Sequence, residues 1–247
     1  MRARKTKSRF ASRPLNGRSA SLPPFDHPAL MTGRTLYPST VRAGRDRWAL
    51  KRGMNSAKIG DVIVKGRWKG FPVYTLSLEE RATCPRSCAH WRSCMGNSMN
   101  WADRVQAGPD LEWRLEREIA LLDIDHPSGF AVRLHVLGDF YSVEYVELWR
   151  TLFERHPALH VWSYSARHDK DDPIFAALVA LMEDHPDRFK IRFSNAPFET
   201  PSTVTIEHPF QKPADAILCP EQVGRTESCG TCALCWTTTR RIAFLQH

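Results

Sequence analysis

Residues 130–165 read FAVRLHVLGDFYSVEYVELWRTLFERHPALHVWSYS, and this stretch decides the fold. Phe130 to Leu137 is an apolar run rich in β-favouring residues and reads as a strand. Gly138-Asp139-Phe140-Tyr141-Ser142 interrupts it. From Val143 to Arg155 the apolar positions Val146, Trp149, Leu152 and Phe153 fall on one side of a helix, and Leu159 to Ser165 is again strand-like. Asp172-Pro173 opens a further helix to His185, and Phe189 to Ser194 follows as a strand. Strand, helix, strand, helix, strand at this pitch predicts right-handed βαβ units and a mainly parallel sheet.

Upstream, Asp61 to Leu78 reads as a β-hairpin with its turn at Lys69-Gly70, and Pro72 places the second strand at an edge or at its own start. Pro109 opens a helix carrying Leu111, Leu115, Ile119 and Leu122 at helical spacing to about Asp125. Downstream, Val204 to Ile206, Ala216 to Leu218 and Ile242 to Leu245 are short strand candidates. These helices are too few for an eight-fold barrel. The expected fold is α/β: a partial, open β/α barrel with a mainly parallel sheet, an N-terminal β-hairpin and a C-terminal cysteine-rich segment. Residues 48–247 are expected to form a single α/β domain and residues 1–47 a disordered basic tail.

The charge supports that division. Residues 1–55 hold 13 Lys/Arg against Asp26 and Asp46, whereas the rest of the chain holds 22 Lys/Arg against 25 acids. The overall charge of +8 therefore belongs to the beginning of the chain. A basic tail is a candidate for touching nucleic acid, or a solvated extension, or a sign that Met31 or Met54 is the true start. No apolar run approaches the ~20 residues that span a bilayer, and no secretory h-region is present. A cytoplasmic protein with no membrane partner is expected.

Seven cysteines are an odd number, and six lie in two tight groups, which argues against a disulfide framework. Cys84, Cys88 and Cys94 are spaced C-x3-C-x5-C on a loop after a strand. Three thiolates on one loop can hold three corners of an iron–sulfur cubane and leave the fourth iron open. Cys219-Pro220 is followed by Cys229, Cys232 and Cys235, spaced C-x2-C-x2-C, which is ferredoxin-like ligand logic with the Cys-Pro placed first. Zinc is the competitor, although structural zinc usually takes two separated C-x2-C knuckles. One or two [4Fe–4S] clusters are expected, with zinc as the alternative.

Chemistry in such sheets gathers at the C-terminal strand ends. Those ends carry the Cys84 loop, Gly138-Asp139, Tyr164 to His168, and Ser194-Asn195. Gly138 would let backbone approach a ligand, Asp139 would accept from an amine, and Asn195 completes the candidate cofactor-binding set. A tight turn with Asp139 or Ser142 capping the helix is the structural alternative. His135 reads as a core histidine, His90 as a metal candidate after the thiols, and Trp91 and Trp101 as shields against water.

Three runs carry a resemblance: LSLEERATCPRSC (residues 76–88), RLHVLGDFYS (133–142) and SCGTCALCW (228–236). They are similar to the signature of the phage gene-product-eighty-eight family over about Trp48 to His247, which implies a protein of phages, prophages and mobile elements. More loosely the chain resembles radical S-adenosylmethionine enzymes, with a three-cysteine loop after the first strand, a Gly138-Asp139 turn after the second and a C-terminal auxiliary-cluster segment. That likeness implies a cluster on Cys84, Cys88 and Cys94 whose free iron chelates S-adenosylmethionine, Asp139 receiving its ammonium and an electron donor as partner. The spacing departs from that superfamily's usual C-x3-C-x2-C. The expectation is an iron–sulfur protein of phage type, with a radical enzyme as the mechanistic reading. A zinc-binding, nucleic-acid-associated protein and a non-catalytic electron-transfer or redox-sensing protein are the alternatives.

Overall fold

The computed structural model describes residues 22–197 and 201–246. Helix α2 (Pro109–Asp125) begins at its proline, with Asp110 and Glu112 in its first turn. There they complement the partial positive charge of exposed amides. Ser142 caps α3 (Val143–Arg155) by accepting from the Tyr145 amide, and Asp172 caps α4 (Pro173–Asp184) by accepting from Ile174. Between them run β5 (Phe130–Leu134) and β6 (Leu159–Ser165), and β7 (Phe189–Ser194) follows α4. The strand expected over Phe130 to Leu137 stops at Leu134, because His135 turns into the left-handed region at φ 50°.

The remaining elements are α1 (Pro28–Thr32), β1 (Val41–Arg42), β2 (Lys51–Arg52), β3 (Val73–Thr75), β4 (Arg104–Val105), β8 (Ser202–Ile206), β9 (Ile217–Leu218), α5 (Cys229–Cys232), α6 (Leu234–Thr237) and β10 (Ile242–Leu245). Eight strands form one sheet in the order β2-β3-β5-β6-β7-β8-β10-β9, and β1 pairs with β4 apart from it. All pairings in the large sheet are parallel except β2 with β3. The fold is mixed α/β with a mostly parallel sheet. The expected hairpin is reduced to one antiparallel bridge, Val62 to Pro72, flanked by backbone bonds from Ile63 to Phe71 and from Val73 to Asp61.

Side chains alternate along strands, so the sheet has two distinct faces. Phe130, Val132 and Leu134, Leu159 and Val161, and Phe189, Ile191 and Phe193 share one cluster with α2, α3 and α4. Each buried Leu, Phe or Trp there is worth roughly 1.5–3 kcal/mol, so packing holds these helices more than propensity does. The other face presents Val73, Ala131 and Trp162, covered by Ile59, Ile63, Trp68, Ala233 and Trp236. By the same alternation Arg133, Tyr164 and Arg192 lie on this second face, beneath the C-terminal cysteine segment.

The expectation of a disordered tail to residue 47 is corrected for residues 22–47. Arg34 reaches Glu79, Thr35 reaches Glu80, and Tyr37 donates to the Asn97 carbonyl. Order there rests on contacts made with residues about 45 or more positions away, which leave no periodic trace in the sequence. Residues 1–21, the remainder of that tail, lie outside the described residues.

Candidate metal centres

The first cysteine group hangs from a buried polar scaffold. Glu80 accepts from Arg104 Nε at 2.6 Å and Nη2 at 3.0 Å, and also from Thr35 Oγ1 at 2.8 Å. Arg81 is buried with φ 66°, donating to the carbonyls of Trp91 and Arg34 and to Asn97 Oδ1. Buried polar groups this dense are stable only when each is satisfied: Glu80 and Arg104 form an ion pair, and Arg81 is held by neutral acceptors. The loop that leaves this scaffold carries Cys84, Cys88 and Cys94.

The other three expected strand ends converge on that loop. Thr83 Oγ1 accepts from the Asp139 amide at 3.1 Å, and Arg167 donates to the carbonyls of Thr83 and Phe140 and to Asp172. Gly138, at φ 89°, lies so close to Leu78 and Thr83 that a Cβ would sit 2.7 Å from each. Its space is therefore filled by the chain itself. Asp139 is buried, and its oxygens accept from the amides of Phe140 at 2.8 Å and Ala166 at 2.7 Å. Burial pushes its carboxyl up to about 6 in spite of those bonds.

His90 and Asn195 also meet. His90 Nε2 lies 2.9 Å from Thr205 Oγ1 and 3.3 Å from Asn195 Nδ2, while Asn195 Oδ1 accepts from the Thr205 amide at 2.8 Å. The pair ties the cysteine loop to the ends of β7 and β8. His135 is buried, with Nε2 3.2 Å from the Tyr145 hydroxyl and Nδ1 without a partner among the described residues. Burial holds its ring neutral, down to about 3. Trp91 stands beside Cys84, but Trp101 is 72% exposed and shields nothing.

The second group is built on the far face of the sheet. Ser228 caps α5, and Ala233 at φ 64° turns the chain from α5 into α6, spacing Cys229, Cys232 and Cys235 over two single turns. Tyr164 donates to Cys235 Sγ at 2.7 Å. Trp236 stacks on Trp68 at 5.5 Å and lies 4.6 Å from Trp162. Arg192, 2% exposed, donates to the carbonyls of Cys235 at 2.8 Å, Arg240 at 2.9 Å and Thr238.

All seven cysteines are free thiols. Among the described residues, no three His, Cys, Asp or Glu side chains come together closely enough to hold a metal ion. The thiols are nonetheless neighbours by charge. Burial, and then Asp139, push Cys84 well up, with Cys94 and Cys88 adding to it; burial and Glu80 lift Cys94 to about 11. In the second group burial is the first cause for each: it raises Cys229 and Cys219 with Cys235 next, and Cys232 with Cys219 adding to it. As free thiols, all seven are kept protonated.

The donor chemistry of the second group fits a metal. Neither Arg133 nor Arg192 forms an ion pair with a carboxylate among the described residues: Arg133 donates to the carbonyls of Leu134 and His135 and lies 4.5 Å over the Tyr164 ring, and Arg192 donates to the Cys235 carbonyl. Two further donors, Trp162 Nε1 and Trp236 Nε1, are buried without a hydrogen-bond partner among the described residues. A buried cation is costly without a counter-charge, and a buried N–H without an acceptor. Four thiolates on a metal would supply the counter-charge.

Sequence reading found every one of these cysteines. It missed Glu80, Arg81 and Arg104, which support the first group, and Arg133 and Arg192, which face the second. Their signal was present: charged residues inside or beside otherwise apolar strand runs.

Fold and site together define a mixed α/β protein with two cysteine groups, one at the C-terminal strand ends and one on the sheet face opposite the helices. The chain belongs to the Gene product 88 family, which it matches over residues 48–238. That is the phage family expected from its motifs. Searches of curated proteins and of solved structures returned no match. None of the comparisons bears on the looser likeness to radical S-adenosylmethionine enzymes.

Proposed function

We propose that this chain is an iron–sulfur protein. In this reading Cys219, Cys229, Cys232 and Cys235 hold one [4Fe–4S] cluster, and Cys84, Cys88 and Cys94 hold three corners of a second. The observation that carries it is the pair of guanidiniums, Arg133 and Arg192, on the face of the C-terminal cysteines with no carboxylate partner among the described residues: Arg192 donates to the Cys235 carbonyl, and Arg133 lies 4.5 Å over the ring of Tyr164, whose hydroxyl donates to Cys235 Sγ. When bound, a cluster supplies one-electron chemistry. Arg133 and Arg192 offset the charge of the thiolates, and Tyr164 donates to Cys235 Sγ. The stack of Trp68, Trp162 and Trp236 excludes water, and an external electron donor is the implied partner.

The strands β3, β5, β6, β7 and β8 succeed one another in chain order without reversal, and α2–α4 share one face. That arrangement supports the open β/α barrel, with the second cysteine group on its inner face. A catalytic role is a second reading, favoured by the cleft that opens at Cys84 of the three-thiol group. For Asp139 to receive a cosubstrate's ammonium there, its carboxylate would have to give up the amides of Phe140 and Ala166.

Anaerobic purification followed by iron, sulfide and zinc analysis and a visible spectrum tests the proposal. Brown protein with about four or eight irons per chain, the cubane stoichiometry, is the expected result. Colourless protein with one or two zincs would overturn it and favour the zinc-binding alternative.

A further inference from the structure

The cleft beside the first cysteine group has a volume of about 320 Å³ and is walled by Cys84, Arg34, Arg81, Arg86 and Trp91. Three guanidiniums on one small cleft need anions. Arg34 takes Glu79 at 2.8 Å, yet its side chain is 56% exposed while Glu79 is 3% exposed, so its outer edge faces the opening. Arg86 donates one bond, to the Met31 carbonyl at 3.0 Å, and lies 5.3 Å over the Trp91 ring. Arg81 contributes charge from behind, with its donors committed to Trp91, Arg34 and Asn97. Asp139 acts on Cys84 as well, but its oxygens are held by two amides. The cleft is thus left with more positive than negative charge.

We propose that this cleft binds a small polyanion, a phosphate or carboxylate compound, gripped by Arg34 and Arg86 and seated between Cys84 and the Trp91 ring. A guanidinium offers paired N–H donors that match a phosphate or carboxylate edge, and the exposed edges of Arg34 and Arg86 provide two such forks. The inference goes beyond the iron–sulfur reading and does not depend on a bound metal.

Two measurements test it on the full-length chain. Calorimetric titration with pyrophosphate and with citrate, at fixed ionic strength, should give binding by at least one of them. That binding should weaken at least tenfold in R34Q/R86Q and several-fold in R86Q, whose exposed side chain is not part of the fold's support. Binding by neither anion, or equal binding in both variants, overturns the proposal. On metal-free protein, iodoacetate should gain over neutral iodoacetamide at Cys84 relative to Cys232, and R86Q should reduce that gain. An equal reagent ratio at the two cysteines overturns the cationic site, whether or not the protein as purified carries iron.

Discussion

Replacing Arg192 by methionine separates a cation that serves a metal centre from one that merely braces the chain. In the metal-free protein the change removes a buried, unpaired charge, whose cost is several kcal/mol. It also leaves the carbonyls of Cys235, Arg240 and Thr238 without this donor, at about 1 kcal/mol each at the low end. The two effects oppose each other, so the stability of the metal-free chain should move by only about 1 kcal/mol. Once Cys235 and its neighbours carry a metal as thiolates, Arg192 is one partner of a buried pair, and its loss should cost about 3 kcal/mol. That is roughly a 150-fold loss of affinity. Competition for cobalt(II) or zinc against a chromophoric chelator measures it, with melting curves on metal-free and loaded protein. R192K, which keeps the charge, should recover part of the affinity. Equal metal affinity in R192M, or equal destabilisation of both forms, would refute the reasoning.

Glycine 138 should not tolerate a side chain. With a Cβ 2.7 Å from both Leu78 and Thr83 and φ at 89°, G138A should destabilise by about 2–4 kcal/mol, and an unchanged melting temperature would contradict the geometry. E80Q leaves Arg104 unpaired in the core and should cost about 3–5 kcal/mol in urea unfolding; a loss below about 1 kcal/mol would show the scaffold to be dispensable. Asp139 sets a pH dependence whose sign is fixed by its raised carboxyl. Folding shifts it from 3.8 to about 6, so the folded state binds the proton more tightly than the unfolded one. Stability should therefore fall as pH rises from about 4 to 6, by up to about 3 kcal/mol, and then level off. The difference between wild type and D139N isolates this contribution, and a rise over the same window would be the wrong sign.

Much of the scaffold was legible because its signals are local. The apolar stripes of α2 and α3 and the prolines that open α2 and α4 placed these three helices within a residue, and β6, β7 and β10 fall where their β-rich runs predicted. The strand after Gly129 was overextended, since Val136 and Leu137 read as more strand when His135 has already turned the chain. Residues 22–47 were misread for the opposite reason. Their order comes from Arg34, Thr35 and Tyr37 reaching distant partners, and a basic composition without periodicity conceals such contacts. At the site the cysteines were plain. What surrounds them was not, because Arg133 and Arg192 acquire meaning only when alternation along the strands sends them to the same face as Cys229 and Cys235.

The order of strands has a consequence for synthesis. β10, the last element, inserts between β8 and β9, which precede it in the chain. A ribosome releases the chain from its N-terminus, so β8 and β9 emerge with edges that only the later β10 joins. The segment carrying Cys229, Cys232 and Cys235 lies between β9 and that closing strand. A message cut short before Ile242 would yield all seven cysteines on a chain with β8 unpaired on one side and β9 detached, a product exposed to aggregation and proteolysis. The joining of β8 to β9 thus waits on residues translated after the last of the seven cysteines.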